Sequence, residues 1–207
     1  RAMITGKGYS PRDFVCFSYG GGGPVHAYGY TRGLGFKETI VPAWAAGFSA
    51  FGCASADFEY RYDKSVDVGI NDESSPEDIE VACLKLQSAW DELKVKVLEE
   101  FAISGFGPES VTLTPGYSMQ YMGQLNDLEI ESPVKSIKGK EDWPALVKAF
   151  DETYARVYAD AARSPELGFG ITGAILRGSV VTSKPAIPKE PKSGPTPPEN
   201  AKLGTRK

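Results

Sequence analysis

Histidine and cysteine are scarce in this sequence. Its 207 residues include one histidine, His26, and three widely spaced cysteines. A zinc site needs several such ligands at short spacings, so we expect no zinc site in this chain. A serine–histidine–aspartate triad would have to use His26, and the residues around it do not support one. The sequence therefore argues against zinc and serine-hydrolase chemistry.

Positive charge and long apolar runs are also lacking. The chain has 23 Lys and Arg residues against 27 Asp and Glu residues, a net charge of −4. A nucleic-acid partner is not expected, because a phosphate-binding surface needs clustered Lys and Arg. No apolar run is long enough for a bilayer and no signal-peptide pattern is present, so no membrane partner is expected. Cys16, Cys53 and Cys83 each lie among apolar residues, which predicts buried thiols in a reduced, cytoplasmic protein.

The first 56 residues have the pattern of a strand, a helix and a second strand. The run FVCFSY at Phe14–Tyr19 is apolar throughout, which predicts a strand buried on both faces. Pro24 suits the first turn of a helix expected from Val25 to Leu34. KETIVPAW then predicts a second strand, parallel to the first in a βαβ unit. The small residues of AAGFSAFGCASAD predict a tightly packed helix.

Beyond residue 56 the pattern is that of a second domain. FEYRYDKSVDVGI and ITGAILRGSVVTS predict its first and last strands, with ESVTLTPGYSMQYMG and LNDLEIES as two strands between them. A long amphipathic helix capped by Ser75 begins at Pro76, and WPALVKAFDETYARVYADAA predicts a second helix. The buried stripe of the long helix is Ile79, Cys83, Leu86, Trp90, Leu93, Val97 and Phe101. The order β-α-β-β-α-β predicts a ferredoxin-like α+β domain over 57–184, followed by an extended Pro/Lys-rich tail over 185–207.

The four consecutive glycines between the first strand and the helix allow two interpretations. Glycines permit positive φ angles and a close approach to the backbone, and a helix start favours anions, so the turn could contact a nucleotide. It could equally be a tight turn, because it lacks the lysine and hydroxyl of a P-loop and the spacing of a dinucleotide fingerprint. His26 could bond a ligand, although a structural bond to nearby backbone is favoured.

Two further groups of polar residues each allow a functional and a structural interpretation. One lies on one face of the first strand of the second domain and could do acid–base work, although a solvated edge with local ion pairs is favoured. Its members are Asp57, Glu59, Arg61 and Asp63, with Tyr60 and Tyr62 on the opposite face. The other group could line a cleft or form a hairpin. It consists of Gln120, Gln124 and Asn126.

Several separated motifs resemble the C-terminal part of the hydantoinase A / oxoprolinase family. They are, in order, SPRDF, VCFSYGGGGPVHA, LGF, IVPAWAAGFSAFG, AD and QYMGQLNDLEI. The family carries a similar F/Y-G-G-x-G-P-x-H-A segment after an Asp-Phe strand, an S-A-x-G helix, and a later Y-x-G-Q before an acidic–apolar strand. The resemblance extends to about Pro185 and covers nearly the whole chain.

The resemblance implies an ATP-binding lobe. The family's nucleotide module is similar to the superfamily of actin, sugar kinases and heat-shock ATPases, and residues 1–56 would be the C-terminal part of such a lobe. In these modules a glycine-rich turn lies against the adenosine and the α-phosphate. The matching positions are Gly20, Gly21, Gly22, Gly23, Pro24 and His26. The resemblance therefore favours nucleotide contact over a purely structural turn.

The resemblance also implies partners. The superfamily's turns that hold the β- and γ-phosphates and Mg²⁺ do not occur in this sequence. ATP and Mg²⁺ would require a polypeptide that carries them, so the chain would be one portion of an ATPase subunit, inactive alone. That subunit would act on a small-molecule substrate within a hetero-oligomeric complex. The match assigns no catalytic residue.

Two reaction types occur in this family. Some members are ketone carboxylases of the acetone and acetophenone type, and others hydrolyse a hydantoin or 5-oxoproline with ATP. The hydrolase branches tend to have His-Pro-Gly where this chain has AWAAG at 43–47, which favours a ketone carboxylase. A third hypothesis is a non-catalytic assembly module that docks neighbouring subunits through the second domain and the tail. It is compatible with the first.

Overall fold

The computed structural model describes residues 2–5 and 8–186, together with Gly194, Thr196, Glu199 and Gly204. Most of the tail predicted over 185–207 lies outside the described residues, so its extended conformation stays a prediction. Within the described residues, no helix is both long enough and apolar enough to pass through a bilayer. A four-residue helix, α1 (Ala2–Thr5), precedes two distinct sheets.

The first sheet is the predicted βαβ unit. Strands β1 (Val15–Phe17) and β2 (Glu38–Ile40) pair in parallel, and helix α2 (Gly23–Thr31) connects them. Pro24 lies in the first turn of α2, as predicted. The predicted helix end at Leu34 is wrong by about one turn. Arg32 leaves the helical conformation and Gly33 adopts a φ of +77°, which terminates the helix.

Two packing predictions for this region are wrong. The strand is not buried on both faces, because Val15 and Phe17 are 38% and 49% exposed. Helix α3 (Phe48–Ser55), which holds most of the small residues, contains no buried residue among those described. A Cβ built at Gly52 meets no described atom within 4 Å. Among the described residues this sheet has only two strands, so β1 and α3 have few neighbours to bury them.

The second sheet has the predicted order of elements along the chain. Its strands are antiparallel and two long helices connect them. The elements are β3 (Phe58–Ile70), α4 (Pro76–Ile103), β4 (Thr112–Tyr121), β5 (Leu128–Glu131), α5 (Trp143–Tyr158) and β6 (Phe169–Val180). The strand order across the sheet is β3-β6-β4-β5, so the last strand pairs with both the first and the second.

The hydrophobic core lies between this sheet and helices α4 and α5. The predicted stripe of α4 is confirmed: six of its members are buried and Ile79 is partly buried. Trp90 anchors the stripe to the sheet, because its Nε1–H donates to the Gly116 carbonyl at 2.7 Å. Gly178 of β6 lies where α4 approaches the sheet closely, and a Cβ there would be 2.4 Å from a methyl of Val97.

Helix α4 begins at a reciprocal cap. The Ser75 hydroxyl accepts a hydrogen bond from the Asp78 N–H at 3.2 Å, and the Asp78 carboxylate accepts one from the Ser75 N–H at 2.8 Å. We expect Ser75→Ala to lower the free energy of unfolding by about 1 kcal/mol, measured by urea denaturation. Ser75→Thr keeps the hydroxyl and serves as the control. Equal stability of the alanine and threonine variants would contradict a capping role.

The cap also predicts that the stability of the domain depends on pH in the acid range. The hydrogen bond from the Ser75 backbone holds the pKa of the Asp78 carboxyl below its ordinary value of 3.8. The contribution of Asp78 to stability is therefore present above that value and is lost as the pH falls through the lowered pKa.

The three cysteines differ in exposure. Cys83 is buried in the core, Cys16 is half-buried and Cys53 is exposed on α3. The prediction of three buried thiols is therefore wrong for Cys53, because α3 is uncovered. Burial raises the pKa of the Cys83 thiol to about 11, with smaller effects from nearby carboxylates, so its thiolate is scarce at neutral pH.

A thiol-titration experiment tests this difference. We expect an aromatic disulfide reagent at pH 8 to modify Cys53 rapidly and Cys83 only after unfolding in guanidinium. Cys53→Ser should remove the fast phase without changing the amplitude that appears on unfolding. A fast phase that survives in Cys53→Ser with unchanged amplitude would overturn the assignment.

Candidate functional site

The glycine turn joins the end of β1 to the start of α2. Gly20 has a φ of +85°, a left-handed conformation that favours glycine over other residues. Its N–H donates to the carbonyl of Ala45 at 2.8 Å, in a short 3₁₀ turn (Ala45–Gly47) that follows β2. This bond fixes the start of the turn against the segment after the neighbouring strand.

The backbone of the turn is accessible. A Cβ built at Gly20, Gly21 or Gly22 meets no described heavy atom within 4 Å. Gly22 is the N-cap of α2 and, among the described residues, no side chain caps this helix start. The first N–H groups of α2 are therefore available to an external acceptor. This arrangement suits the approach of an anion or of a nucleotide to the backbone.

His26 lies in the first turn of α2 and is exposed. The structure gives it no hydrogen bond to a described residue, so the favoured alternative, a ring bonded to nearby backbone, is not the arrangement found. Ala27, the next residue, is the buried residue of α2. His26 is therefore on the accessible side of the helix start.

Two hydroxyl groups that the sequence analysis missed lie beneath the turn. Ser18 is 2% exposed, and its N–H donates to the Ile40 carbonyl at 2.9 Å. The Ser18 side chain hydrogen-bonds the hydroxyl of Tyr30, and Tyr30 donates to the Gly23 carbonyl at 3.3 Å. The sequence signal for this pair was Ser18 itself, a polar residue in the otherwise apolar run FVCFSY.

An aromatic cluster covers the opposite face of β1. Phe17 stacks on Phe48 of α3 with ring centroids 5.7 Å apart, and Tyr19 packs against the same ring at 5.1 Å in a tilted arrangement. Trp44 packs against both Phe48 and Phe51, at 5.1 and 4.9 Å. Tyr19 is 47% exposed, and Trp44 and Phe17 are also exposed. The cluster is a partly covered apolar surface next to the glycine turn.

The charged group on β3 forms ion pairs, as the favoured alternative predicted. Arg61 bonds Asp63 at 3.1 Å and Glu129 of β5 at 2.5 Å, and these bonds, Glu129 first, raise the pKa of its guanidinium. Hydrogen bonds from the Lys184 side chain and from the Thr182 N–H lower the pKa of the Asp57 carboxyl. Each pair is partly exposed and contributes little to stability. These partners explain the charges without acid–base chemistry.

The tyrosines and amides are also accounted for by packing. Tyr60 hydrogen-bonds Ser104, and Tyr62 donates to Glu100, so both point toward α4. The second polar group belongs to the hairpin of β4 and β5, where Gln124 donates to the hydroxyl of Tyr154 at 3.0 Å. The hairpin alternative is therefore confirmed. In the part of the chain that the structure describes, no three His, Cys, Asp or Glu side chains group closely enough to hold a metal.

Family models match the first sheet and most of the second. A model for the hydantoinase/oxoprolinase C-terminal domain matches residues 73–207, and one for hydantoinase/oxoprolinase matches residues 1–62. The chain belongs to the hydantoinase/oxoprolinase family. The resemblance read from the motifs is confirmed. The family models include the glycine turn and strands β4, β5 and β6, whereas most of β3 lies between the two matches.

Three curated proteins match along most of the chain. The acetone carboxylase beta subunit of Xanthobacter autotrophicus is 65% identical over the whole chain, which covers 29% of that protein. The acetophenone carboxylase gamma subunit of Aromatoleum aromaticum is 29% identical over 97% of the chain and 27% of its own length. The caprolactamase subunit alpha of Pseudomonas jessenii is 26% identical over 77% of the chain and 22% of its length. The chain thus spans less than a third of each relative.

Two solved structures share the mixed α/β fold. A nucleotide-free acetone carboxylase matches with a TM-score of 0.79 and 64% identity, covering 99% of this chain and 29% of that one. The ATP-dependent caprolactamase of Pseudomonas jessenii matches with a TM-score of 0.70 and 21% identity, over 89% and 26% of the two chains. The chain is thus homologous to a subunit of an ATP-dependent carboxylase.

Proposed function

We propose that this chain is the C-terminal portion of the ATP-binding subunit of a multi-subunit, ATP-dependent ketone carboxylase. The observation that carries the proposal is the 65% identity over the whole chain to the beta subunit of an acetone carboxylase. In this reaction the γ-phosphoryl group would pass from ATP to an oxygen of bicarbonate or of the enolised ketone. Formation of the carbon–carbon bond would then release phosphate and give a β-keto acid. The protein contributes positioning and charge neutralisation.

The glycine turn is the nucleotide-contacting element of this proposal. Its support is geometric: an accessible backbone at Gly20–Gly22 leads directly into the uncapped start of α2. Gly23 and Pro24 then form the first helical turn, and His26 stands exposed beside it. These residues suit an adenosine and an α-phosphate. Mg²⁺ and the terminal phosphates would be held by residues outside this chain.

The domain organisation follows from the same proposal. Residues 1–56 would complete an actin-like nucleotide-binding lobe, in which further strands would cover the exposed aromatic cluster beside β1. Residues 57–184 would be a variant of the ferredoxin-like α+β arrangement. Its order of elements and its split βαβ crossovers support this. It would be a variant because of its strand order, in which the first strand lies at an edge and the last is central. Residues 185–207 would be a tail that reaches neighbouring subunits of a cytoplasmic complex.

Substitution of Gly21 tests the nucleotide role. In the intact complex, Gly21→Val would fill the space beside the turn, where a Cβ meets no described atom within 4 Å. We expect the KM for ATP to rise at least about tenfold, a loss of about 1.4 kcal/mol of binding. Gly29→Val, on the helix that follows the turn and with an equally open Cβ position, is the matched control and should leave the KM within about twofold. An unchanged KM in Gly21→Val would refute nucleotide contact at the turn.

The relatives also favour a second candidate, hydrolysis of a cyclic amide. The caprolactamase subunit alpha and a 5-oxoprolinase of Arabidopsis thaliana match at 26% and 24% identity. ATP turnover by the intact complex separates the two reactions. Turnover that requires acetone and bicarbonate supports the carboxylase, and turnover with a lactam alone supports the hydrolase. If neither reaction consumes ATP, an assembly role remains.

A further inference from the structure

The glycine turn needs interactions that hold it in one conformation. Glycine loses more conformational entropy on ordering than any other residue. Ordering four successive glycines therefore costs much conformational entropy, and a ligand that had to order them would bind more weakly. The bond from Gly20 to Ala45 fixes the start of the turn. The end of the turn, where α2 begins, needs its own attachment.

The pair of hydroxyls beneath the turn supplies that attachment. Tyr30 lies two helical turns after Gly23, and its hydroxyl reaches back to the Gly23 carbonyl at 3.3 Å. The same hydroxyl accepts the hydrogen bond of Ser18, which is held in the sheet by its own N–H bond to Ile40. A continuous chain of bonds therefore runs from the β1–β2 pair to the first residue of α2.

The geometry points to Ser18 and Tyr30 as positioning residues for nucleotide binding at the glycine turn. Ser18 is buried and cannot touch the ligand, and the hydroxyl of Tyr30, a residue that is 45% exposed, is occupied by its bonds to Ser18 and Gly23. Both act through Gly23 by fixing the direction in which the first N–H groups of α2 point. This inference rests on the proposed nucleotide role of the turn and names the residues that set its affinity.

The test compares two tyrosines of the same helix in the intact complex. Tyr30→Phe removes one hydroxyl and keeps the ring, so packing is preserved. Tyr28→Phe removes the hydroxyl of a ring that is 75% exposed and faces Arg32, away from the turn. Tyr30→Phe removes the bonds of the hydroxyl to Ser18 and Gly23, and we expect it to weaken binding of a non-hydrolysable ATP analogue about three- to tenfold. Tyr28→Phe should leave binding unchanged.

A kinetic split distinguishes positioning from a structural role. The KM for ATP should rise with the analogue's dissociation constant, while kcat at saturating ATP stays within about twofold. Native mass spectrometry should show the same subunit composition for both variants. Loss of assembly or an equal fall in kcat for Tyr30→Phe would overturn the inference, because the hydroxyl would then serve folding or chemistry.

A double-mutant cycle tests whether the two hydroxyls act together. Ser18→Ala should weaken analogue binding. In the double variant Ser18→Ala/Tyr30→Phe, the fold-increase in the dissociation constant should be smaller than the product of the two single fold-increases. Fully multiplicative effects would overturn the shared attachment. Gly21→Val separates failure of the proposed nucleotide contact from failure of this inference. If Gly21→Val has no effect on binding, the nucleotide contact at the turn fails. If it weakens binding and Tyr30→Phe does not, the nucleotide contact stands and the positioning role of Ser18 and Tyr30 fails.

Discussion

Trp90→Ala lowers the free energy of unfolding of this chain by about 3–5 kcal/mol, the largest effect that we expect from a single truncation. The indole is buried at the centre of the α4 stripe, and its Nε1–H reaches the Gly116 carbonyl. Removal of the side chain leaves a large cavity and takes the indole donor away from the Gly116 carbonyl. Urea denaturation followed by far-UV circular dichroism measures the loss.

Two further variants separate packing from the hydrogen bond. Trp90→Phe keeps much of the apolar surface and loses the donor, so its cost should be smaller, about 1–3 kcal/mol. Leu84→Ala truncates a half-exposed residue of the same helix and should cost less than about 1 kcal/mol. A Trp90→Ala variant as stable as Leu84→Ala would show that the indole is not part of the core.

Gly178→Val should destabilise the four-stranded domain by about 3 kcal/mol, at the upper end for an overpacked core. A Cβ at this position lies 2.4 Å from a methyl of Val97 and 2.7 Å from the ring of Phe101, both of which are fully buried. Neither neighbour can move without disturbing the packing of α4 against the sheet. A lowered urea midpoint with an unchanged m-value is the expected result.

A glycine on the same strand provides the control. Gly170→Ala adds a Cβ whose nearest atom is 3.7 Å away, so it should be tolerated within about 1 kcal/mol. In the double variant Gly178→Val/Val97→Ala, the smaller partner should recover part of the loss, with a favourable coupling of about 1 kcal/mol. Strict additivity would mean that the contact of Gly178 with Val97 does not limit the approach of α4.

The second sheet was largely predictable from the sequence because its elements are long. Helix α4 shows the 3.6-residue repeat over several turns, and Ser75 and Pro76 mark its start unambiguously. The alternation along β3 likewise places Arg61 outward and Tyr60 inward. The strand order was not predictable, because pairing depends on which edges meet in space and leaves little trace in a local pattern.

The first sheet was predicted less well because its exposure does not follow from local pattern. The run FVCFSY is apolar enough for a doubly buried strand, yet burial also requires neighbours on both edges and both faces. The glycine turn could be located by its four glycines, but its attachment could not. The bond from Tyr30 to Gly23 joins residues seven apart, and neither residue type is distinctive on its own.

The central place of β6 has a consequence for the order of folding during synthesis. β6 hydrogen-bonds to β3 and to β4 along most of its length, and those two strands do not pair with each other. Until residues up to Val180 have been synthesised, β3 has no partner strand in the nascent domain and the hairpin of β4 and β5 has an unpaired edge. Such edges recruit other chains, so this interval is when the polypeptide most needs a chaperone.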